Sequence, residues 1–253
     1  MGAPAQRVWD TFVPENDRRV AAAAGYGRVG GLGQRPVVLA IDMNVGFCGD
    51  RPEPAQESIK RWRNSAGAIG WRAAASAAPL ISAARAKRIP IIYTTGQTPR
   101  IDGFDAGRGT DKNWRRSEDR HYDRATANEI IGPIAPDPLD ILIAKPKYSS
   151  FFGTPLLSYL IDLRVDTLVV FGTATSGCVR ASVVDAYQYN YRVAVVEEAT
   201  FDRLESSHLL SLFDMNLKHA DVMNVEALID YVDSLPAGLF DQEMPALALT
   251  HGA

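Results

Sequence analysis

The sequence predicts an open, parallel α/β sheet with helices on both faces, and three observations carry that expectation. The apolar runs are β-branched and lack polar alternation, as strands covered on both faces do. Helical patterns fill the stretches between them. Strand and helix then alternate along the chain, the order from which parallel crossover units are built.

In chain order the strands are PVVLAID (36–42), IPIIYTT (89–95), DILIAK (140–145), DTLVVFG (166–172) and RVAVVEE (192–198), with a short sixth at Asp221-Val222-Met223. Helices are expected over 71–88, 154–163, 178–190, 204–220 and 225–235. Residues 96–139 form a long polar excursion whose size marks a functional loop or lid rather than a simple connection. The expected organisation is an N-terminal arm (1–35), one domain (36–236) and a tail (237–253). Arm and tail show no obvious core residues, and packing on a neighbouring subunit is the role expected of them.

At 253 residues, 46% hydrophobic and 23% charged, the chain has ample material for a sizeable core. A formal net charge of -3 argues against the broad electropositive surface that phosphate backbones require, so no nucleic-acid partner is expected. The start MGAPAQRVWD lacks the apolar core of a signal peptide, and no run reaches membrane-spanning length. A cytoplasmic protein without a membrane partner is the expectation. Two cysteines, Cys48 and Cys178, are no disulfide framework in a chain this long, and each reads as a free thiol.

Several motifs carry less than they first suggest. Gly25-Tyr26-Gly27-Arg28-Val29-Gly30 fits G-x-G-x-x-G, but it precedes the first strand instead of following one, so it reads as an irregular arm. His208 and His219 are eleven residues apart with Asp214 between them, wider than the i, i+4 pairs of helical zinc sites. The segment GQTPRID after the second strand contains no histidine, and no metal is expected. Arg115, Arg116, Arg120 and Arg124 are interleaved with Glu118, Asp119 and Asp123, the pattern of a solvated, salt-bridged surface.

Ligands of open α/β sheets sit beyond the carboxyl ends of the strands, and three chemically capable residues fall there. Asp42 closes the first strand, Lys145 closes the third, and Cys178 follows the fourth by a few residues. A cysteine in the first turn of a helix is expected to have its pKa lowered from about 8.5 into the range ~3.5–7.5. The small residues of FGTATSGCVR (171–180) let the backbone approach a substrate, and N–H groups of that turn could stabilise an oxyanion. Asp42 could take the thiol proton and Lys145 hold the charges in register. Plainer roles are open to each: Asp42 as a strand-end cap, Lys145 as a surface lysine, Cys178 as a small buried filler. Cys48, with no motif around it, reads as packing.

The segments RPVVLAIDM, KPKYSSFFGTPL and DTLVVFGTATSGCVRASVVDAYQYNYRVAVVEEATFDR resemble the isochorismatase-like cysteine hydrolase family, and within it the amidohydrolases. The resemblance runs from about Gly25 to Pro236 and is most specific at the turn before Cys178. It implies a Rossmann-like, three-layer α/β/α sandwich with a six-stranded, mainly parallel sheet, assembled as a dimer or tetramer. It also implies an Asp42–Lys145–Cys178 triad, a non-proline cis peptide at Thr173-Ala174, and oxyanion donors from the N–H groups of Ala174 and Cys178. Thr175 and Arg203 are the substrate-binding residues it points to, with the Arg203 guanidinium suited to a carboxylate. Ser176 stands where many members carry an acid, and RWRNSAGAIGWRAA (61–74) must supply part of the pocket.

The activity so implied is cofactor-free hydrolysis of a small linear amide or N-carbamoyl substrate bearing a carboxylate. A vinyl-ether hydrolase on the same fold would not need the thiol, so Cys178 counts against that rival. A thiol-based redox or binding module is the rival of another class.

Overall fold

The computed structural model describes residues 7–98, 100–102, 104–105, 108, 111–112 and 123–245. Its sheet has six strands: β1 (Pro36–Ile41), β2 (Ile91–Gly96), β3 (Ile141–Lys145), β4 (Thr167–Gly172), β5 (Arg192–Thr200) and β6 (Asp221–Met223). They lie in the order β3-β2-β1-β4-β5-β6, and every neighbouring pair is parallel. Every residue of the central strands β1 and β4 is buried, which is why their sequences read as unbroken apolar runs. Edge strand β3 instead alternates, with Leu142 and Ala144 exposed.

Helices cover both faces in three layers. The long α4 (Ala68–Ala86) turns Ala73, Ala74, Ala77, Leu80, Ile81 and Ala84 inward, and its small residues let it lie close on the sheet. Beside it runs α9 (Val225–Ser234), whose start is capped by the Asn224 side chain accepting from Ala227 N at 2.8 Å. The other layer includes α7 (Arg180–Gln188) and α8 (Glu205–Lys218), which pack on each other and on β5 and β6. A shorter helix, α6 (Leu156–Asp162), falls inside its expected span. No helix among the described residues is long and apolar enough to cross a membrane.

Arm and tail depart from expectation, since both close the core of their own chain. Trp9 and Val13 are buried, Trp9 lies 6.2 Å from the Phe213 ring, and Arg7 stacks on Trp9 while pairing with Glu197. A helix, α1 (Glu15–Ala23), follows with no buried residue, which is why no apolar stripe announced it. In the tail Phe240 is fully buried under the Arg35 guanidinium, and Asp241 pairs with Arg88. One aromatic residue in each segment does the anchoring, and a lone aromatic has no periodicity to detect.

The glycine motif is an irregular arm, as its position before β1 requires. Gly27 N donates to Leu217 O, and the N–H groups of Gly30 and Gly31 hold the Asp221 carboxylate. The polar excursion ends in folded structure: α5 (Arg124–Asn128) and a 3₁₀ turn (Gly132–Ile134) bring Ala127, Ile131 and Ile134 into buried positions. Ile131 N donates to Met43 O and Val45 N to Glu129 O, tying the excursion to the segment just after β1. Arg115, Arg116, Arg120, Glu118 and Asp119 lie outside the described residues. Asp123 caps α5, its carboxylate accepting from Ala125 N and Thr126 N.

Candidate active site

Strand register brings the candidate residues to one edge. Ile41 stands level with Thr94 of β2 and Gly172 of β4, so Asp42 and the turn after β4 start at the same height. Lys145 is level with Gly96, the last residue of β2. Two strand spacings, about 10 Å, separate β3 from β1, and the Lys145 side chain spans that gap over the end of β2. A Cβ at Gly96 would stand 2.8 Å from Asn128 Oδ1, so glycine there makes room for the Asn128 side chain. The Lys145 ammonium reaches Asp42 Oδ2 at 2.8 Å, Cys178 Sγ at 3.3 Å and the Lys147 carbonyl at 3.0 Å.

Asp42 turns the chain off the sheet at φ 53°, a conformation aspartate tolerates better than most residues. Thr94 fixes its carboxylate, donating from Oγ1 to Oδ1 at 3.0 Å, while Asp42 N donates to the Thr94 carbonyl. Nothing in the sequence reading marked Thr94. Its place at the end of IPIIYTT, level with the residue before Asp42, was the available signal.

The turn carrying Cys178 is held from three sides. The Thr173-Ala174 peptide is cis. Gly172 has φ 118°, and a Cβ there would stand 2.1 Å from the Ile41 carbonyl oxygen, so glycine alone fits. A bulge in β5 changes the pairing from Val170 with Val195 to Gly172 with Thr200. That re-aimed strand end lets Phe201 N donate to Gly172 O and its carbonyl accept from Thr175 N. Ser176 sends both its N–H and its hydroxyl to Asp202, two residues past the end of β5.

Cys178 lies in a π-helical turn (Thr175–Val179) one step before α7, not in the first turn of that helix. The lowered thiol pKa expected from a helix start is not found. Burial pushes the Cys178 thiol up to about 12, the Asp42 carboxylate adds to the rise, and Lys145 opposes it without prevailing. With 5% of its surface exposed, the sulfur lies beside a lysine–aspartate ion pair. Burial also works against the Lys145 charge, but Asp42 and Cys178 outweigh it and hold the ammonium above the ordinary lysine range. Behind the sulfur, the Ser182 hydroxyl donates to the Cys178 carbonyl and accepts from Ser150 N.

A cavity of about 500 Å³ opens on this cluster. Asp42, Lys145 and Cys178 form its floor, and Phe47, Tyr148 and Phe152 give it a largely apolar wall. Asp185, held by the Ser149 hydroxyl at 2.5 Å, adds a carboxylate. Phe47 comes from the short α2 (Val45–Cys48), capped by Asn44, whose amide also reaches Thr95.

Thr175 and Arg203, the expected substrate-binding residues, each have partners within the protein. Thr175 bonds His208 Nδ1 at 2.7 Å, with burial pushing the His208 pKa down. Arg203 donates from Nε and Nη2 to the Asn64 carbonyl and sits 5.9 Å from the Phe47 ring, behind the cavity wall. Among the described residues the Ala174 N–H meets no acceptor. His219 packs edge-on against Tyr187, apart from His208 and its Thr175 bond, and no group of three or more His, Cys, Asp or Glu side chains among the described residues could hold a metal ion. Cys48 is fully buried against Gly70, and burial raises its thiol pKa, as a packing residue requires.

Residues 36–227 match the isochorismatase domain family. The chain is 29% identical over 241 residues to N-carbamoylsarcosine amidase of an Arthrobacter species, covering 87% of this chain and 79% of that protein. Against maleamate amidohydrolase of Pseudomonas putida it is 30% identical over 201 residues, covering 78% and 87%. A cysteine hydrolase structure from Pseudomonas syringae pv. phaseolicola superposes with a TM-score of 0.68 at 25% identity, over 79% of this chain and 93% of the other.

Proposed function

This chain belongs to the isochorismatase family, and from that premise we propose that it is a cysteine-dependent amidohydrolase acting on a small linear amide or N-carbamoyl compound that bears a carboxylate. The observation that carries the reading is the contact of one lysine with both Asp42 and Cys178 at the floor of a cavity. Such a buried group of acid, base and thiol is costly unless its charges are paired, and it suits proton transfer to and from sulfur.

Substrate binding displaces water from the cavity, and Asp42 takes the thiol proton as Sγ attacks the amide carbonyl carbon. Lys145 stabilises the sulfur and the carboxylate in turn, because its ammonium lies within reach of both. The N–H groups of Ala174 and Cys178 are the proposed donors to the tetrahedral oxyanion. Asp42 returns the proton to the departing nitrogen, ammonia or an amine leaves, and a thioester remains. Water then attacks the thioester, gives its proton to Asp42, and the sulfur recovers it as the acid product departs.

A relative that hydrolyses N-carbamoylsarcosine and another that hydrolyses maleamate support both the bond type and a carboxylate-bearing substrate. The test is ammonia release from a panel of N-carbamoyl amino acids, maleamate, ureidoacrylate and nicotinamide. Release from at least one acidic member supports the reading, and release from none removes it. Because the thiol attacks first, no metal-activated water is required. Exhaustive chelation should leave turnover unchanged, and a loss reversed by zinc or manganese would contradict the mechanism.

A further inference from the structure

Two threonines stand near the end of β2, and their hydroxyls have different partners. Thr95 Oγ1 accepts from the Asn44 amide at 2.8 Å and donates to the Asn128 carbonyl at 2.7 Å. Thr94, fully buried and level with Ile41, serves Asp42 instead. Its Oγ1 accepts from Asp42 N at 3.3 Å and donates to Asp42 Oδ1 at 3.0 Å, so the direction of its hydrogen is fixed. The two oxygens of the Asp42 carboxylate are thereby unlike. Oδ1 is held by a neutral donor, whereas Oδ2 lies 2.8 Å from the same Lys145 ammonium that lies 3.3 Å from Cys178 Sγ. Oδ2 is buried and accepts no hydrogen bond of ordinary geometry among the described residues, which leaves it lone pairs for a proton.

We propose that Thr94 is a positioning residue of the hydrolysis: by fixing Oδ1 it presents Oδ2 as the oxygen that takes the proton from Cys178 Sγ and passes it to the departing nitrogen. The proposal rests on the amidohydrolase reading and divides the labour within its acid and base. An aspartate carboxyl turns over a broad range about its last bond, and a partly turned Asp42 would carry Oδ2 away from the ammonium and the sulfur. The Thr94 bond opposes that turn and gives Asp42 one orientation for both proton transfers. It also shares the carboxylate's charge. Without the hydroxyl more of that charge falls on Lys145, whose ammonium then supports a sulfur anion less. The strand end itself does not depend on the hydroxyl, since Asp42 N also donates to the Thr94 carbonyl at 3.0 Å.

The experiment uses the full chain in two pairs that differ in the hydroxyl: wild type against Thr94→Val, and Thr94→Ser against Thr94→Ala. On an amide that wild type hydrolyses, Thr94→Ser should keep kcat within about threefold, while Thr94→Val and Thr94→Ala should each lose about tenfold or more against their partners at nearly unchanged KM, as a lost hydrogen bond to a charged group implies. A space-filling role predicts the reverse order, because valine matches threonine in shape and serine leaves a methyl-sized gap. Turnover by Thr94→Val equal to wild type, turnover by Thr94→Ala equal to Thr94→Ser, or a loss confined to KM overturns the proposal. Should Thr94→Val not fold, the serine and alanine pair decides alone. A second readout needs no substrate: at neutral pH, iodoacetamide should label Cys178 about threefold or more slowly in the two proteins lacking the hydroxyl than in their partners, through a smaller thiolate fraction. Equal labelling within both pairs overturns the proposal. Ammonia release by wild type is scored separately: a protein that shows the labelling order but hydrolyses no amide loses the amidohydrolase reading and keeps the hold of Thr94 on Asp42.

Discussion

Removing the Asp42 carboxylate should make Cys178 more reactive toward an alkylating agent and useless toward an amide. The carboxylate helps hold the thiol pKa up, and without it the Lys145 ammonium, 3.3 Å from sulfur, is left to pair with a thiolate. One pKa unit is tenfold in thiolate fraction well below the pKa, so Asp42→Asn should label with iodoacetamide at neutral pH at least about tenfold faster than wild type. Amide turnover should fall by about a hundredfold or more, because the proposed general acid and base is gone. For wild type the labelling rate should keep rising past about pH 9, since a thiol pKa near 12 gives no plateau below it. Slower labelling of Asp42→Asn, or a wild-type plateau near neutrality, would contradict this account of the resting thiol. The identities of Asp42, Lys145 and Cys178 were legible in the sequence because each closes or follows a strand, and strand ends gather on one edge. Their charge states were not. The pKa of Cys178 depends on burial and on the distances to two strands remote in sequence, and a local helix-start rule misjudged its direction.

Among the elements, the junction of β4 with the turn before Cys178 bears the tightest constraint. An alanine at Gly172 would need a Cβ 2.1 Å from the Ile41 carbonyl and a φ of 118°. Gly172→Ala should therefore cost about 3 kcal/mol or more of unfolding free energy, read as a lower urea midpoint, and should impair turnover because the turn must move. A change under about 1 kcal/mol would show that β1 and β4 can yield there. Strands and long helices were legible because burial on both faces and 3.6-residue periodicity leave marks in composition. The π-helical turn, the β5 bulge and the short α2 were not, since each is set by what it packs against. The bulge in particular precedes Asp202, whose bonds to Ser176 join the end of β5 to the turn after β4 and are visible only in three dimensions.

For the whole molecule, the boundary of the matched domain is not the boundary of the folded unit. Trp9 lies outside residues 36–227 yet is buried against Phe213 of α8. Trp9→Ala should destabilise the protein by about 3–5 kcal/mol, as truncation of a buried aromatic does. The check is a shift in urea midpoint with an unchanged slope, and a shift worth less than about 1 kcal/mol would mean the arm is dispensable. A parallel sheet and the edge bearing its site could be read from the pattern of the chain. That arm and tail close this core, and that the polar excursion ends tied to the segment just after β1, needed the three-dimensional arrangement. Each contact joins segments with no shared periodicity.

The central claim is that the Cys178 sulfur becomes covalently acylated during turnover. It is tested most directly by mixing the protein with an amide it hydrolyses, quenching in acid within the first turnover, and measuring the mass of the peptide containing Cys178. The account predicts an adduct equal to the substrate's acyl group on that peptide, absent from the peptide containing Cys48 and absent in Cys178→Ala, which should also release no ammonia. Steady ammonia release by Cys178→Ala would contradict it.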